Sequence, residues 1–188
     1  MNPRNERNAL LAGCLMVVSA MLACGGGSDG GSKTSGTCLT FAAAASPAPG
    51  MVVMREGSAS TCDRAAIDLV ATDVADVFGA SFTVSFDPDL VDYDGYSVSG
   101  SALTSDGAQV EVLATPGHGQ LVFGISRFLT PDGIDVSGTA PLVRLYFRNL
   151  DRTGSGALAL PTGSLDDDST PPQEIPGVTW HAGTIAIR

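Results

Sequence analysis

The chain has 188 residues, room for one domain or two very small ones. Ten Lys and Arg against twenty Asp and Glu give a formal charge of −10, a sign that repels phosphate backbones and argues against nucleic acid as a partner. The composition favours Gly, Ala, Ser, Thr, Val and Asp over Glu, Lys and Gln, which disfavours long surface helices and suits strands joined by turns.

Residues 1–8 carry Arg4 and Arg7, and residues 9–23 (ALLAGCLMVVSAMLA) are uncharged and mostly apolar. That core is too short to span a membrane comfortably but suits a signal peptide. It ends at Met21-Leu22-Ala23-Cys24, followed at once by GGGSDGGSKTSG. Small residue, cysteine, then a Gly/Ser tether resembles the lipobox of bacterial lipoproteins. The resemblance implies removal of residues 1–23, a diacylglycerol on Cys24, export and anchoring in the cell envelope. Gly25 rather than Asp after the cysteine implies the outer membrane in a Gram-negative host. An upstream box, Leu11-Ala12-Gly13-Cys14, would leave an apolar core of only about five residues. An ordinary secretory signal, with Cys24 a plain thiol, is the other reading.

Residues 24–49 are expected to form a flexible tether, with a span of about 5–6 Å times the square root of its length over the Gly/Ser-rich part. Within it Gly31-Ser32-Lys33-Thr34 lacks the Gly-Lys pair and the preceding strand that a phosphate-binding loop needs. Once Cys14 leaves and Cys24 is acylated, Cys38 and Cys62 remain as an even pair in an oxidising compartment. A bridge between them closes a loop of about 25 residues, worth roughly 3–3.5 kcal/mol in the chain-entropy account. Neighbouring His or Cys partners that would make them metal ligands are missing.

From residue 50 to 188 the pattern turns to period two. Strands are expected over residues 51–55, 65–72, 77–86, 91–98, 109–114, 120–126, 142–149, 157–160 and 178–187. In 65–72, Ile67, Leu69 and Ala71 fall on one face and Asp68 and Thr72 on the other. In 77–86, Phe78, Ala80, Phe82, Val84 and Phe86 share a core face, with Gly79, Ser81, Thr83 and Ser85 opposite. In 142–149, Val143, Leu145 and Phe147 point in and Arg144, Tyr146 and Arg148 point out. Turn signals such as Asp94-Gly95, Asp106-Gly107 and Pro131-Asp132-Gly133 separate the strands. About nine such strands make an all-β, two-sheet sandwich or jelly roll. At the end of 77–86, Pro88 stops the strand, Asp87 can accept from amides just beyond it, and Leu90 can tuck back beside Phe86.

The run FGASFTVSFDPDLV (78–91) resembles the hallmark of cohesin domains: an alternating strand ending in aromatic-Asp-Pro, then an apolar residue opening the next strand. Gly100-Ser101-Ala102-Leu103, GQLVFGI (119–125), the strand at 142–147 and Gly183-Thr184-Ile185-Ala186-Ile187 match further family features in order, covering about residues 50–188. The resemblance implies a jelly roll of nine strands that acts by protein or carbohydrate recognition, typically gripping a dockerin on a flat sheet face. Family members often carry Asn-x-Asp just before the core phenylalanine of this strand. Here Gly79 and Ser81 stand there, so the acidic anchor is missing; either the partner has diverged or only the scaffold is shared.

Chemistry beyond binding finds little support. His118 lies in a turn and His181 in the last strand, without metal-pair spacing, and no Gly-x-Ser-x-Gly elbow occurs. No enzyme and no cofactor are expected. Asp92-Tyr93-Asp94-Gly95 falls short of a calcium loop. Asp166, Asp167 and Asp168, in the Pro-rich loop LDDDSTPPQEIPG, suit either a calcium ion or a solvated acidic loop. Tyr93, Tyr96, Tyr146 and Trp180 are the candidates for a sugar-stacking platform. The expected function is a membrane-tethered, cohesin-like module presenting Gly79, Ser81, Thr83, Arg144, Tyr146 and Arg148 to a dockerin-like protein. A carbohydrate-binding module is the alternative.

Overall fold

The structure is a computed structural model and describes residues 36–188. The expected signal peptide, the expected lipidation site Cys24 and the Gly/Ser part of the expected tether lie outside the described residues. In chain order the strands are β1 (Leu39–Ala43), β2 (Met51–Glu56), β3 (Arg64–Val77), β4 (Gly79–Ser85), β5 (Val91–Ser97), β6 (Gln109–Gly117), β7 (Gln120–Phe128), β8 (Ile134–Asn149), β9 (Gly154–Asp166), β10 (Thr179–His181) and β11 (Gly183–Ile187). One 3-10 turn, Ala102–Thr104, interrupts them, capped by Ser101 Oγ, which accepts from Leu103 N.

Two sheets form, ordered β1-β11-β9-β4-β7-β6 and β10-β2-β3-β8-β5. They pack face to face as a sandwich whose successive strands alternate repeatedly between sheets, in keeping with a jelly roll. The period-two reading holds where it was clearest. Ala80, Phe82 and Val84 of β4 are buried, and so are Leu121, Phe123 and Ile125 of β7 and Val143, Leu145 and Phe147 of β8. Phe82 stacks on Phe123 with ring centroids 5.1 Å apart, and Phe86 meets Phe147 edge-on at 5.3 Å. The Asp-Pro corner forms as its chemistry requires: Asp89 N donates to Asp87 Oδ1 at 2.9 Å, and Leu90 is buried.

Four expectations are corrected. The sandwich does not begin at residue 50. Leu39–Ala43 pairs antiparallel with β11, and the buried Leu39 and Phe41 belong to the core, so this stretch is not tether. Eleven strands replace about nine, because β1 is added and residues 178–187 split at Ala182 into β10 and β11, which join different sheets. β8 and β9 run through Pro141 and Pro161 well beyond 142–149 and 157–160. Finally, β3 is buried on both faces over most of its length. Asp68, expected on a solvent face, is clamped by Arg144, with Nε 2.6 Å from Oδ1 and Nη2 3.0 Å from Oδ2. Thr72 shares a 3.0 Å hydroxyl contact with Thr139.

The disulfide Cys38–Cys62 is present. It joins the residue before β1 to the loop before β3, and so one sheet to the other. Cys38 and Arg188 exchange backbone hydrogen bonds beside it, closing the β1–β11 ladder.

Candidate functional site

Three of the chain's five large exposed hydrophobic residues among those described lie on one surface. In β7, Leu121, Phe123 and Ile125 point into the core, which turns Val122, Gly124 and Phe128 outward. In β6 the same alternation turns Glu111, Leu113 and Thr115 outward. Leu113 is 67% exposed, Val122 46% and Phe128 40%.

Strand register arranges this outer surface of the six-stranded sheet in rungs across β6, β7, β4 and β9. One rung reads Leu113, Gly124, Ser81, Ser164; the next Thr115, Val122, Thr83, Thr162; the third Glu111, Ser126, Gly79, Asp166. Gly, Ser and Thr fill the middle of the rungs except at Val122, and a depression of about 690 Å³ lies beside Leu113, lined by Gly79, Ser81 and Gly124 among others. A Cβ built on Gly124 meets nothing within 4 Å, so the floor is open to solvent or to a partner. The outward charges are Glu111 and Asp166. The basic residue of β7, Arg127, points inward and is buried.

The opposite outer surface is chemically different. Arg64 lies over the Tyr146 ring at 3.7 Å and its Nε sits 2.9 Å from Asp94 Oδ2. Arg148 Nη2 lies 2.8 Å from Asp92 Oδ2, and Arg144 is held by Asp68, which stabilises its protonated form. These guanidiniums are already partnered by carboxylates of their own sheet.

The six residues expected to form one recognition face therefore do not share one. Gly79, Ser81 and Thr83 stand on β4 in the six-stranded sheet, whereas Arg144, Tyr146 and Arg148 stand on β8 in the five-stranded sheet, facing the other way. Alternation shows which residues point outward but not which sheet a strand joins. Leu113, Val122 and Phe128 were missed, although the alternation in 120–126 already placed an apolar valine on the outer side.

Asp166, Asp167 and Asp168 are each held by hydrogen-bond partners of their own. Asp166 Oδ1 accepts from Ser164 Oγ at 2.7 Å. Asp167 Oδ1 accepts from the Ser169 hydroxyl and from the amides of Gln173 and Ser169, which hold its carboxyl below the usual carboxylate range. Asp168 Oδ2 accepts from Gly133 N at 3.2 Å. No group of three or more potential metal ligands forms among the described residues. The aromatic candidates are likewise scattered. Trp180 packs 6.0 Å from Phe82, Tyr146 lies under Arg64, and Tyr96 meets Phe123 edge-on. His118 is exposed in the β6–β7 turn, and His181 Nε2 lies 3.2 Å from Thr179 Oγ1.

No family model and no curated protein matches the chain. Solved structures do. The second type II cohesin module of the adaptor ScaA scaffoldin of Acetivibrio cellulolyticus is 13% identical over 79% of this chain and 88% of its own, with a TM-score of 0.52. The seventh ScaB type I cohesin of Pseudobacteroides cellulosolvens is 10% identical over 71% and 88%, also at 0.52. A type I cohesin–dockerin complex of Clostridium thermocellum, Coh-OlpA–Doc918, gives 9% identity over 78% and 96% at 0.50. At these identities the likeness is one of fold: the sandwich is cohesin-like.

Proposed function

We propose that this sandwich is a non-catalytic protein-interaction module whose partner docks on the outer surface of β9, β4, β7 and β6. The observation that carries this is that Leu113 and Val122 stand exposed on neighbouring rungs of one surface floored by Gly, Ser and Thr, with Phe128 farther along the same face. Exposed apolar side chains grouped in this way mark an interaction surface, whereas apolar residues scattered singly do not. The surface suits a protein with an apolar centre, and its two outward carboxylates favour a basic rim on the partner. A dockerin-like protein is the first partner to try, because one similar fold is seen in a cohesin–dockerin complex. Gly79 and Ser81 leave the centre of the surface without an acidic anchor, so apolar contact carries more of the binding here. Cys24 serves as the lipid anchor in this reading, and mass analysis of the chain isolated from membranes would detect the diacylglyceryl group on it.

The test uses the immobilised full chain and an extract of the envelope from which it comes. A protein retained by the wild type, lost with Val122→Arg and Thr83→Arg, and kept with Arg148→Ala supports the reading. Retention that ignores both surface substitutions, or retention of polysaccharide alone, overturns it.

A further inference from the structure

Each sheet of an open sandwich has two edge strands, and proteins normally guard such edges against pairing with another chain. Three of the four edges here are short, or charged and irregular, along their whole length. β1 has five residues and β10 three, too short to template much. β5 bears Asp92 and Asp94, and its register with β8 shifts between Tyr93 and Tyr96. β6 carries one charge, Glu111, and a proline, Pro116, at its penultimate position. Its nine residues nevertheless pair with β7 in unbroken register from Gln109↔Phe128 to Gly117↔Gln120, which leaves residues 109–115 as a long edge without a proline or a bulge.

The hydrogen-bond direction of that edge follows from its neighbour. Arg127 N donates to Phe78 O, and Gly119 O accepts from Phe86 N, so odd-numbered residues of this hairpin arm direct their backbone groups toward β4. Even-numbered residues of β7 consequently bond to β6, through their partners Gln109, Glu111, Leu113, Thr115 and Gly117. That leaves Val110, Val112 and Ala114 with N–H and C=O groups aimed away from the sheet. None of these groups finds a hydrogen-bond partner among the described residues.

We propose that β6 pairs antiparallel with β6 of a second copy of this chain about a twofold axis through Leu113, joining two six-stranded sheets edge to edge. Leu113 is the midpoint of the strand and its one large exposed apolar residue. In this register Val112 faces Ala114 of the other copy in a pair that exchanges main-chain bonds, and Leu113 faces its own counterpart in the closer, non-hydrogen-bonded pair. Glu111 falls opposite Thr115, so no like charges oppose each other. The register shifted to centre on Val112 sets Glu111 against Leu113 and buries a carboxylate beside the apolar contact. Self-complementarity about one axis is what a twofold interface demands, and a midpoint leucine supplies it. An unrelated extended peptide would find the same main-chain groups but would give Leu113 no matching partner.

The test is made on the full chain, in a Cys14→Ser, Cys24→Ser background for the thiol variants. Sedimentation equilibrium is expected to show a species of twice the chain mass. Its association strengthens with added salt, because each copy carries a formal charge of −10. Leu113→Lys returns the chain to single mass by setting two ammonium groups face to face. Leu113→Cys cross-links into a dimer under mild oxidation, since facing Cα atoms of a non-hydrogen-bonded pair lie about 4.5 Å apart, within disulfide reach. Gln109→Cys, which falls opposite Gly117, does not. A wild-type chain that stays at single mass up to high micromolar concentration overturns the proposal. So does cross-linking through Gln109→Cys but not Leu113→Cys, which is read on folded wild-type-like chains whatever the lysine variant does.

Discussion

Arg127 and Asp106 form an ion pair in which the arginine is buried and the aspartate is not: the guanidinium side chain is 1% exposed and its carboxylate partner 50%. Arg127 also donates from Nη1 to Leu103 O and from Nε to Asp132 O, both at 2.9 Å. One residue of β7 therefore fastens two loops, the one carrying the 3-10 turn and the one following Phe128. Arg127→Met should lower stability by about 1–3 kcal/mol, because the buried Leu103 carbonyl and the part-buried bond to Asp132 O lose their donor while the half-exposed Asp106 is rehydrated. Equilibrium denaturation measures the loss, and hydrogen exchange should show it concentrated in these two loops.

The same pair sets an acid limit. Hydrogen bonds from Arg127 and from the Ala108 amide lower the Asp106 pKa from 3.8 to about 2. A lowered folded-state pKa means stability that is present above the unfolded value and lost as pH falls toward about 2. Asp106→Asn should flatten the denaturation midpoint across that window.

Asp76 runs the other way. Desolvation, then the charges of Asp168, Asp167 and Asp135, raise its pKa above 3.8, so the folded state favours its protonated form. Its contribution is unfavourable at neutral pH and is relieved as pH falls through the raised value. Asp76→Asn is expected to raise the denaturation midpoint at pH 7, with the gain shrinking in acid. Asparagine tolerates the left-handed backbone there, φ 60°, so the substitution tests charge rather than strain.

Gly163 stands over the Trp180 ring. A Cβ added there would overlap the Trp180 ring, a clash that no packing tolerates without displacing the indole. Gly163→Ala should cost about 1–3 kcal/mol by overpacking. Tryptophan fluorescence should shift to the red as the indole is displaced toward water. An unchanged spectrum and midpoint would show that β9 and β10 can separate freely at this point.

Replacing Cys38 and Cys62 together by serine should lower stability by about 3 kcal/mol through the freed loop entropy of the unfolded chain. Comparing the denaturation midpoint of the variant with that of the oxidised wild type checks this, and reduced wild type should match the variant.

The amino-acid pattern made the core legible wherever a strand buries one face. Phe82 and Phe86 before Pro88 needed no structure to place them, whereas Phe78, read onto the same core face, is only half-buried and lines the outer depression. The Cys38–Cys62 bridge followed from the number of cysteines and the expected compartment. What escaped was decided far along the chain. Leu39–Ala43 carries only two core residues between a Gly-rich segment and a run of alanines, and it becomes a strand because β11 lies beside it. β8 and β9 pass through prolines that, read locally, end strands; neighbouring ladders and bulges accommodate them. The recognition face failed for the same reason, since pairing of β4 with β7 and β9 rather than β8 is a long-range choice that period-two patterning does not encode. Val122 was legible as an outward apolar residue, but only knowledge of its neighbours shows that Leu113 lies close by on the adjacent strand.

The covalent tie between Cys38 and Cys62 also decides how the molecule bears mechanical load. Traction on the segment ahead of β1 would otherwise peel that short strand from β11 one hydrogen bond at a time. With the bridge in place the pull passes into the root of β3, the central strand of the opposite sheet. β6 lies at the far end of the first strand's own sheet, so a load carried through the bridge enters the molecule at the edge opposite to it.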